Sequence, residues 1–386
     1  MPPAFLRRVL TLLLPGLLAA GAAQAQLAVE TLKMEPLQPA DAHRIYLSDP
    51  TITHLVDGRI HVIDGAGMRY LGMVGSGFAG SSTLSPDRKT LYVATTYLSR
   101  LQRGTRTDVV EAYDTGDLTL RYEIEIPAKH AQSLPVKALA AVIGGGRFLL
   151  VQNATPATSV TVVDLQERRV ASELANPGCW GAIPWPSNPN RFTTVCGDGT
   201  LATFDLGPDG KAAQEPMVSK PFFDPDKDPI FMHYELVGDE LVMVSYHGAV
   251  YTARLAGAAP ELRAPWSFID AAARKQRWAP GGYALFAADP DTRRLYVGMH
   301  DKQAEGTHKT PAKEIWVLDL AAGKRVARVP GDMALSMAMS RGTPRRLYVL
   351  SATENRLVSI DPRSPGAKGR KRSEPMGETP VYLELH

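Results

Sequence analysis

Cysteine is almost missing from this 386-residue chain; only Cys179 and Cys196 occur. Two cysteines exclude a disulfide-dense miniature scaffold and a four-cysteine zinc site. No histidine lies near either in sequence, which argues against a mixed metal site as well. Also lacking is any apolar run of the roughly 20 residues that a membrane helix needs. Charge of one sign is not in excess. With 43 Lys and Arg against 40 Asp and Glu, the formal balance is +3, too even for a nucleic-acid surface. Helical periodicity is scarce, and Phe268 to Arg277 is the best amphipathic candidate. No G-x-S-x-G elbow, H-E-x-x-H helix or Cys–His pairing occurs, so common hydrolase and zinc-protease signatures are missing.

What is present begins at the N-terminus. Arg7 and Arg8 precede a short apolar run from Val9 to Ala20, and Ala23-Gln24-Ala25 follows. This is the order of a secretory signal, with cleavage expected after Ala25. Removing residues 1–25 takes away Arg7 and Arg8 and no acid, so the balance falls from +3 to +1. Residues 26–42 are then expected to form an N-terminal arm. In an oxidising compartment Cys179 and Cys196 read as one disulfide. Closing that loop is worth about 3 kcal/mol in the chain-entropy model.

Short alternating apolar segments separated by Gly, Pro, Asp and Asn fill the rest of the chain. One pattern recurs, an apolar strand ending in Asp before a turn. It appears as Ile60 to Asp64, Val109 to Asp114, Val160 to Asp164, Leu201 to Asp205, Glu314 to Asp319 and Leu357 to Asp361. Val250 to Ala253 fills the widest gap, with Ala253 at the Asp position. Repeats of this size built from short strands predict an all-β protein over residues 43–386. The expected architecture is a seven-bladed β-propeller of four-stranded antiparallel blades. The lone C-terminal strand, Val381 to Leu385, is expected to join the first blade and leave no free sheet edge. The strand-end Asp residues are expected to cap turns rather than to catalyse.

Several motifs fit known chemistry only in part. Gly75-Ser76-Gly77-Phe78-Ala79-Gly80 matches G-x-G-x-x-G, but strand and turn residues follow where a dinucleotide site needs a helix. A loop between blades is the better reading. Asp224, Asp226, Asp228 and Glu235 have calcium-loop spacing, yet Pro229 occupies the position that needs Gly. His300 and His308 flank a polar loop and read as surface or interface residues. The basic run from Lys368 to Arg372 reads as a solvated loop.

Longer strings carry a resemblance. Thr95-Thr96-Tyr97, Arg103 to Glu111, Gln152 to Ser159, Gly178-Cys179-Trp180, Cys196 to Gly199, Trp278 to Tyr283 and Glu305 to Lys309 occur in order. Together they resemble the large subunits of tryptophan tryptophylquinone amine dehydrogenases. The strings around Asn153, Asp228 to Phe231 and Pro330-Gly331 look more like the aromatic-amine type than the methylamine type. The resemblance implies two large propeller subunits paired with two small, cysteine-rich subunits. It implies that the small subunit carries the tryptophan tryptophylquinone and the catalytic residues, with neither cofactor nor metal in this chain. It further implies a primary amine substrate and a cupredoxin electron acceptor such as azurin, in the periplasm. In such a subunit Phe78, with Ala79 and Gly80 beside it, lines the substrate channel. Ala79 stands where the aromatic-amine pattern has an asparagine, and Ser81-Ser82 also depart from it, which leaves the preferred amine open.

Overall fold

The computed structural model describes residues 35–366 and 369–386. The signal segment expected over 1–25 and most of the arm expected over 26–42 lie outside them. Of that arm, the Leu37 amide donates to the Gly116 carbonyl at 2.7 Å. Strands dominate the described residues, and the one α-helix among them is Ala271–Lys275. It sits inside the predicted helical segment. Asp270 caps it, accepting from the Ala273 amide at 2.7 Å.

Every strand ladder is antiparallel, and among the described residues the strands form five sheets; divided at their two longest strands these give seven groups of four, with the two-residue strands Trp266–Ser267 and Ala279–Pro280 as extra members of the fifth and sixth. Two 16-residue strands, Arg69–Leu84 and Lys324–Met339, each serve two groups. The first group orders Tyr382–Leu385, Arg44–Asp49, Gly58–Asp64 and the start of Arg69–Leu84. The end of Arg69–Leu84 begins the second group, with Thr90–Leu98, Arg106–Asp114 and Leu120–Ile126. The third group runs from Ala140–Ile143 to Arg169–Ala175 and the fourth from Cys179–Trp185 to Met217–Val218. The fifth runs from Glu235–Val237 to Glu261–Leu262. The sixth holds Phe286–Asp289, Arg294–His300, Ala312–Asp319 and the start of Lys324–Met339, whose end opens the seventh. The C-terminal strand pairs with the first group as expected, with Leu385 opposite Ile45.

Alternation along each strand sends apolar side chains to both faces of the inner strands, so neighbouring groups must pack face to face. They do. Val242 and Val250 of the fifth group share a core with Phe286, Val297 and Trp316 of the sixth. Tyr348 and Leu357 of the seventh share one with Ile45 and Leu47 of the first. One strand from each group reaches a common cavity of about 620 Å³, lined among others by Leu84, Val142, Pro184, Glu235, Ala288, Ala338 and Glu384.

The strand-end aspartates act as the sequence predicts. Asp64 accepts from the Gly67 amide at 3.0 Å, Asp114 from Gly116 at 2.7 Å, and Asp319 from Ala321 and Ala322 at 2.9 Å. Asp164 and Asp361 do the same with the amides that follow them. Asp205 is the exception. It pairs with Arg191, Oδ1 to Nε at 2.6 Å.

Candidate functional site

Phe78 lies where the strand Arg69–Leu84 leaves one group and enters the next. The segment predicted as a loop is therefore continuous strand, interrupted by a bulge. On one side Gly75 pairs with Arg59 and Gly77 with Gly58. On the other Phe78 pairs with Thr96, and the register slips before Ser81 meets Ala94. The slip needs residues in the left-handed region, and Gly77 (φ 50°) and Ala79 (φ 54°) supply them on either side of Phe78. For alanine that conformation costs about 1 kcal/mol. Gly80 allows the closest approach, because a Cβ there would lie 2.2 Å from the Ser76 carbonyl oxygen. That carbonyl in turn accepts from Thr95 Oγ1 at 2.6 Å. The outcome is a half-buried phenyl ring on a backbone bulge, with Ala79 beneath it buried.

A polar network supports the strand opposite. Asp108 is buried and accepts from Thr96 Oγ1 at 2.8 Å, from Arg106 Nη2 at 2.6 Å and from the His130 amide at 2.9 Å. Arg106 Nη2 also donates to the His130 carbonyl at 3.1 Å, joining the second group to the segment that enters the third. Burial lowers the His130 imidazole to about 4, so it is neutral at physiological pH. Beside this, the Tyr97 and Tyr113 hydroxyls donate to the two oxygens of Glu111 at 2.8 and 3.1 Å. Burial raises the Glu111 carboxyl. The string Arg103 to Glu111 was visible in the sequence, but these pairings were not, because they join separate strands.

Cys179 and Cys196 are disulfide-bonded and directly opposite in their ladder. Tyr283 reaches across the molecule, its hydroxyl donating to the Leu134 carbonyl at 2.8 Å. His300 and His308 line one pocket of about 630 Å³ with His247 and Tyr246. His308 stacks on Tyr246 at 4.7 Å between ring centroids. Burial lowers both His300 and His308. Among the described residues no three His, Cys, Asp or Glu side chains gather as a metal site. The calcium-spaced acids part company. Asp224 caps a turn through the Asp226 and Lys227 amides, Asp228 accepts from the His247 amide at 2.9 Å, and Glu235 turns to Lys137 at 3.1 Å.

The basic run is solvated as read at Lys371 and Arg372, which are exposed, but not at Arg370. The Arg370 side chain is only 2% exposed and pairs with Asp332, as does Arg372 at 2.7 Å. A desolvated guanidinium needs a carboxylate partner, and the chain itself provides it. Lys368 lies outside the described residues.

The family profile described as methylamine dehydrogenase heavy chain (MADH) matches residues 41–383. The chain belongs to this family. The methylamine dehydrogenase heavy chain of Methylobacillus flagellatus is 29% identical over 336 residues, covering 86% of this chain and 82% of that one. The heavy chain of Paracoccus versutus is 29% identical over 350 residues, covering 90% of this chain and 80% of its own. Among solved structures, the Cps50 (Swd1) β-propeller domain of Myceliophteria thermophila superposes with a TM-score of 0.54 at 10% identity. That superposition covers 93% of this chain and 99% of the other, and it speaks to fold alone. The heavy-chain match contains both cysteines, Phe78 and all the strings that carried the resemblance.

Proposed function

We propose that this chain is the large subunit of a periplasmic quinoprotein amine dehydrogenase that converts primary aromatic amines to aldehyde and ammonia. The observation that carries the reading is the heavy-chain match across residues 41–383. In this reading the seven strand groups are the blades of a seven-bladed propeller, closed where Tyr382–Leu385 joins the first. The chain holds a small quinone-bearing subunit, two of each in the assembly, and a cupredoxin such as azurin takes the electrons.

Tryptophan tryptophylquinone needs two linked tryptophans open to substrate. The pair Trp278 and Trp316 comes close, at 5.6 Å between centroids, but both are buried. Their indole N–H groups are engaged, with Gln276 at 3.1 Å and Glu314 at 2.8 Å. These residues do not fit the cofactor, which belongs with a partner chain. This chain's own part is to shape the entrance. Phe78 presents an apolar face that excludes water and favours an apolar amine, and the bulge over Gly77, Ala79 and Gly80 fixes where that face sits.

A methylamine-type large subunit is the second reading. It is favoured by the names of the curated relatives and by Ala79 in place of an asparagine. Isolation of the protein from its host tests both. The proposal expects a co-purifying small chain, a visible absorption band that amine bleaches, and faster dye reduction with phenylethylamine than with methylamine. The reverse preference favours the second reading. A colourless lone chain, isolated while its partner is expressed, removes both.

A further inference from the structure

The central cavity carries a charge imbalance that the amine chemistry does not use. Four cationic side chains line it, Arg88, Lys137, Arg341 and Arg345, against two carboxylates, Glu235 and Glu384. Some of these are already matched. Lys137 Nζ meets Glu235 at 3.1 Å, and its ammonium lies 4.8 Å from the centroid of the Tyr234 ring. Arg345 Nη2 meets Asp291 at 2.6 Å and its Nε meets Asp289 at 3.2 Å. Arg88 uses one nitrogen, Nη1, on the Leu385 carbonyl at 2.7 Å. Arg341 has no ion pair among the described residues. Its charge lies close enough to Arg88 to lower that guanidinium further, after the larger effect of burial. Two like charges held together at a cavity wall are a recognition element for a charge of opposite sign.

Glu384 faces the same space. One oxygen accepts from the Leu84 amide at 3.1 Å. The other, Oε2, is buried and has no hydrogen-bond partner. An unpartnered buried oxygen that neither guanidinium approaches as an ion pair is costly as a bare acceptor. As a protonated carboxylic acid it becomes a hydrogen-bond donor at the wall of the cavity that the arginines also line.

We propose that the central cavity binds a small dianionic oxyanion of the sulfate or phosphate type, held by Arg88 and Arg341 and by a hydrogen bond from Glu384. Burial pushes the Glu384 carboxyl up to about 7, so the acid is available just below neutrality. The groups that face it are Arg88, Arg341, Lys137, Glu235, Tyr234, Tyr382 and Tyr46, the cross-strand partner of Glu384, with His233 further along the wall. His386, just past the end of the strand that carries Glu384, is lowered to about 4 by burial and stays neutral in the range of interest.

Sulfate is the probe of choice, because its charge does not change between pH 6 and pH 8. Titration calorimetry on the intact protein, as isolated with its accompanying chains and at constant ionic strength, reads the binding. If only the protonated Glu384 form is competent, affinity tightens by roughly 10-fold from pH 8 to pH 6. Arg341→Gln, at an exposed position, should weaken binding by about 10-fold while leaving the thermal midpoint unchanged. Glu384→Gln should bind at pH 8 as tightly as the unaltered protein does at pH 6. No saturable heat at either pH overturns the site. Unchanged affinity in Arg341→Gln overturns the arginine pair, and wild-type pH dependence in Glu384→Gln overturns the role of the acid.

Discussion

The two 16-residue strands solve one problem in two ways. Each must leave one four-stranded group and enter the next without breaking the chain of strand pairing. Each does so with two left-handed residues, Gly77 and Ala79 in the first, Asp332 and Met333 in the second. Each also has a glycine where a Cβ would strike a carbonyl oxygen, Gly80 against Ser76 at 2.2 Å and Gly331 against Ala312 at 2.5 Å. They differ in what holds the bend. The second is latched by charge, since Asp332 pairs with Arg370 and Arg372. At its bend the first has no ion pair of its own among the described residues, only the Thr95 to Ser76 hydrogen bond and close packing, and it carries a half-buried phenyl ring instead. A crossover fastened by ions is a structural joint. One fastened by backbone geometry leaves its side chain free to meet a substrate or partner.

The largest effect should follow from Asp332→Ala, which leaves the Arg370 guanidinium buried without its carboxylate. A loss of about 3 kcal/mol in urea denaturation is expected, and a loss no greater than that of an exposed ion pair would refute the latch. Gly80→Ala comes next. Its Cβ cannot be accommodated without moving Ser76, so the cost should be about 2 kcal/mol in the same assay.

A third joint, between the seventh group and the first, responds to acid. The Asp49 carboxyl is held down at about 2. Burial opposes this, but hydrogen bonds from His61 and from the amides of Glu378, Thr51 and Thr379 outweigh it. A lowered carboxylate stabilises the fold above its unfolded pKa, and that stability is lost as pH falls from about 4 through about 2. The stability gap between wild type and Asp49→Asn should therefore narrow over that window. A constant gap would assign the tether to something other than charge. The smallest effect belongs to Ala79→Gly. Relief of the left-handed strain and the added freedom of the unfolded chain nearly cancel, so stability should change by no more than about 0.5 kcal/mol.

Much of the fold was legible in the sequence because its signals are local. Alternating residues ending in Asp mark a strand and its turn within six positions, and the C-terminal strand had no other partner to claim it. The disulfide followed from having only two cysteines. The candidate site was half legible. Phe78 could be named, but Gly75 to Gly80 read as a loop. Glycines signal a break in regularity, and nothing local says that Thr95 and Ser76 will hold a bulge inside a strand. Arg370 was misread for a similar reason, because its partner Asp332 is distant in sequence. The cavity charges were out of reach altogether, since Arg88, Lys137, Glu235, Arg341 and Glu384 come from five different groups.

The claim that the unlatched crossover serves substrate is tested most directly by kcat/KM for phenylethylamine and methylamine in wild type and Phe78→Ala. The ratio between the two amines should shift by roughly 10-fold while the urea midpoint stays close to wild type. An unchanged ratio with intact stability would contradict it, and would make Phe78 a packing residue.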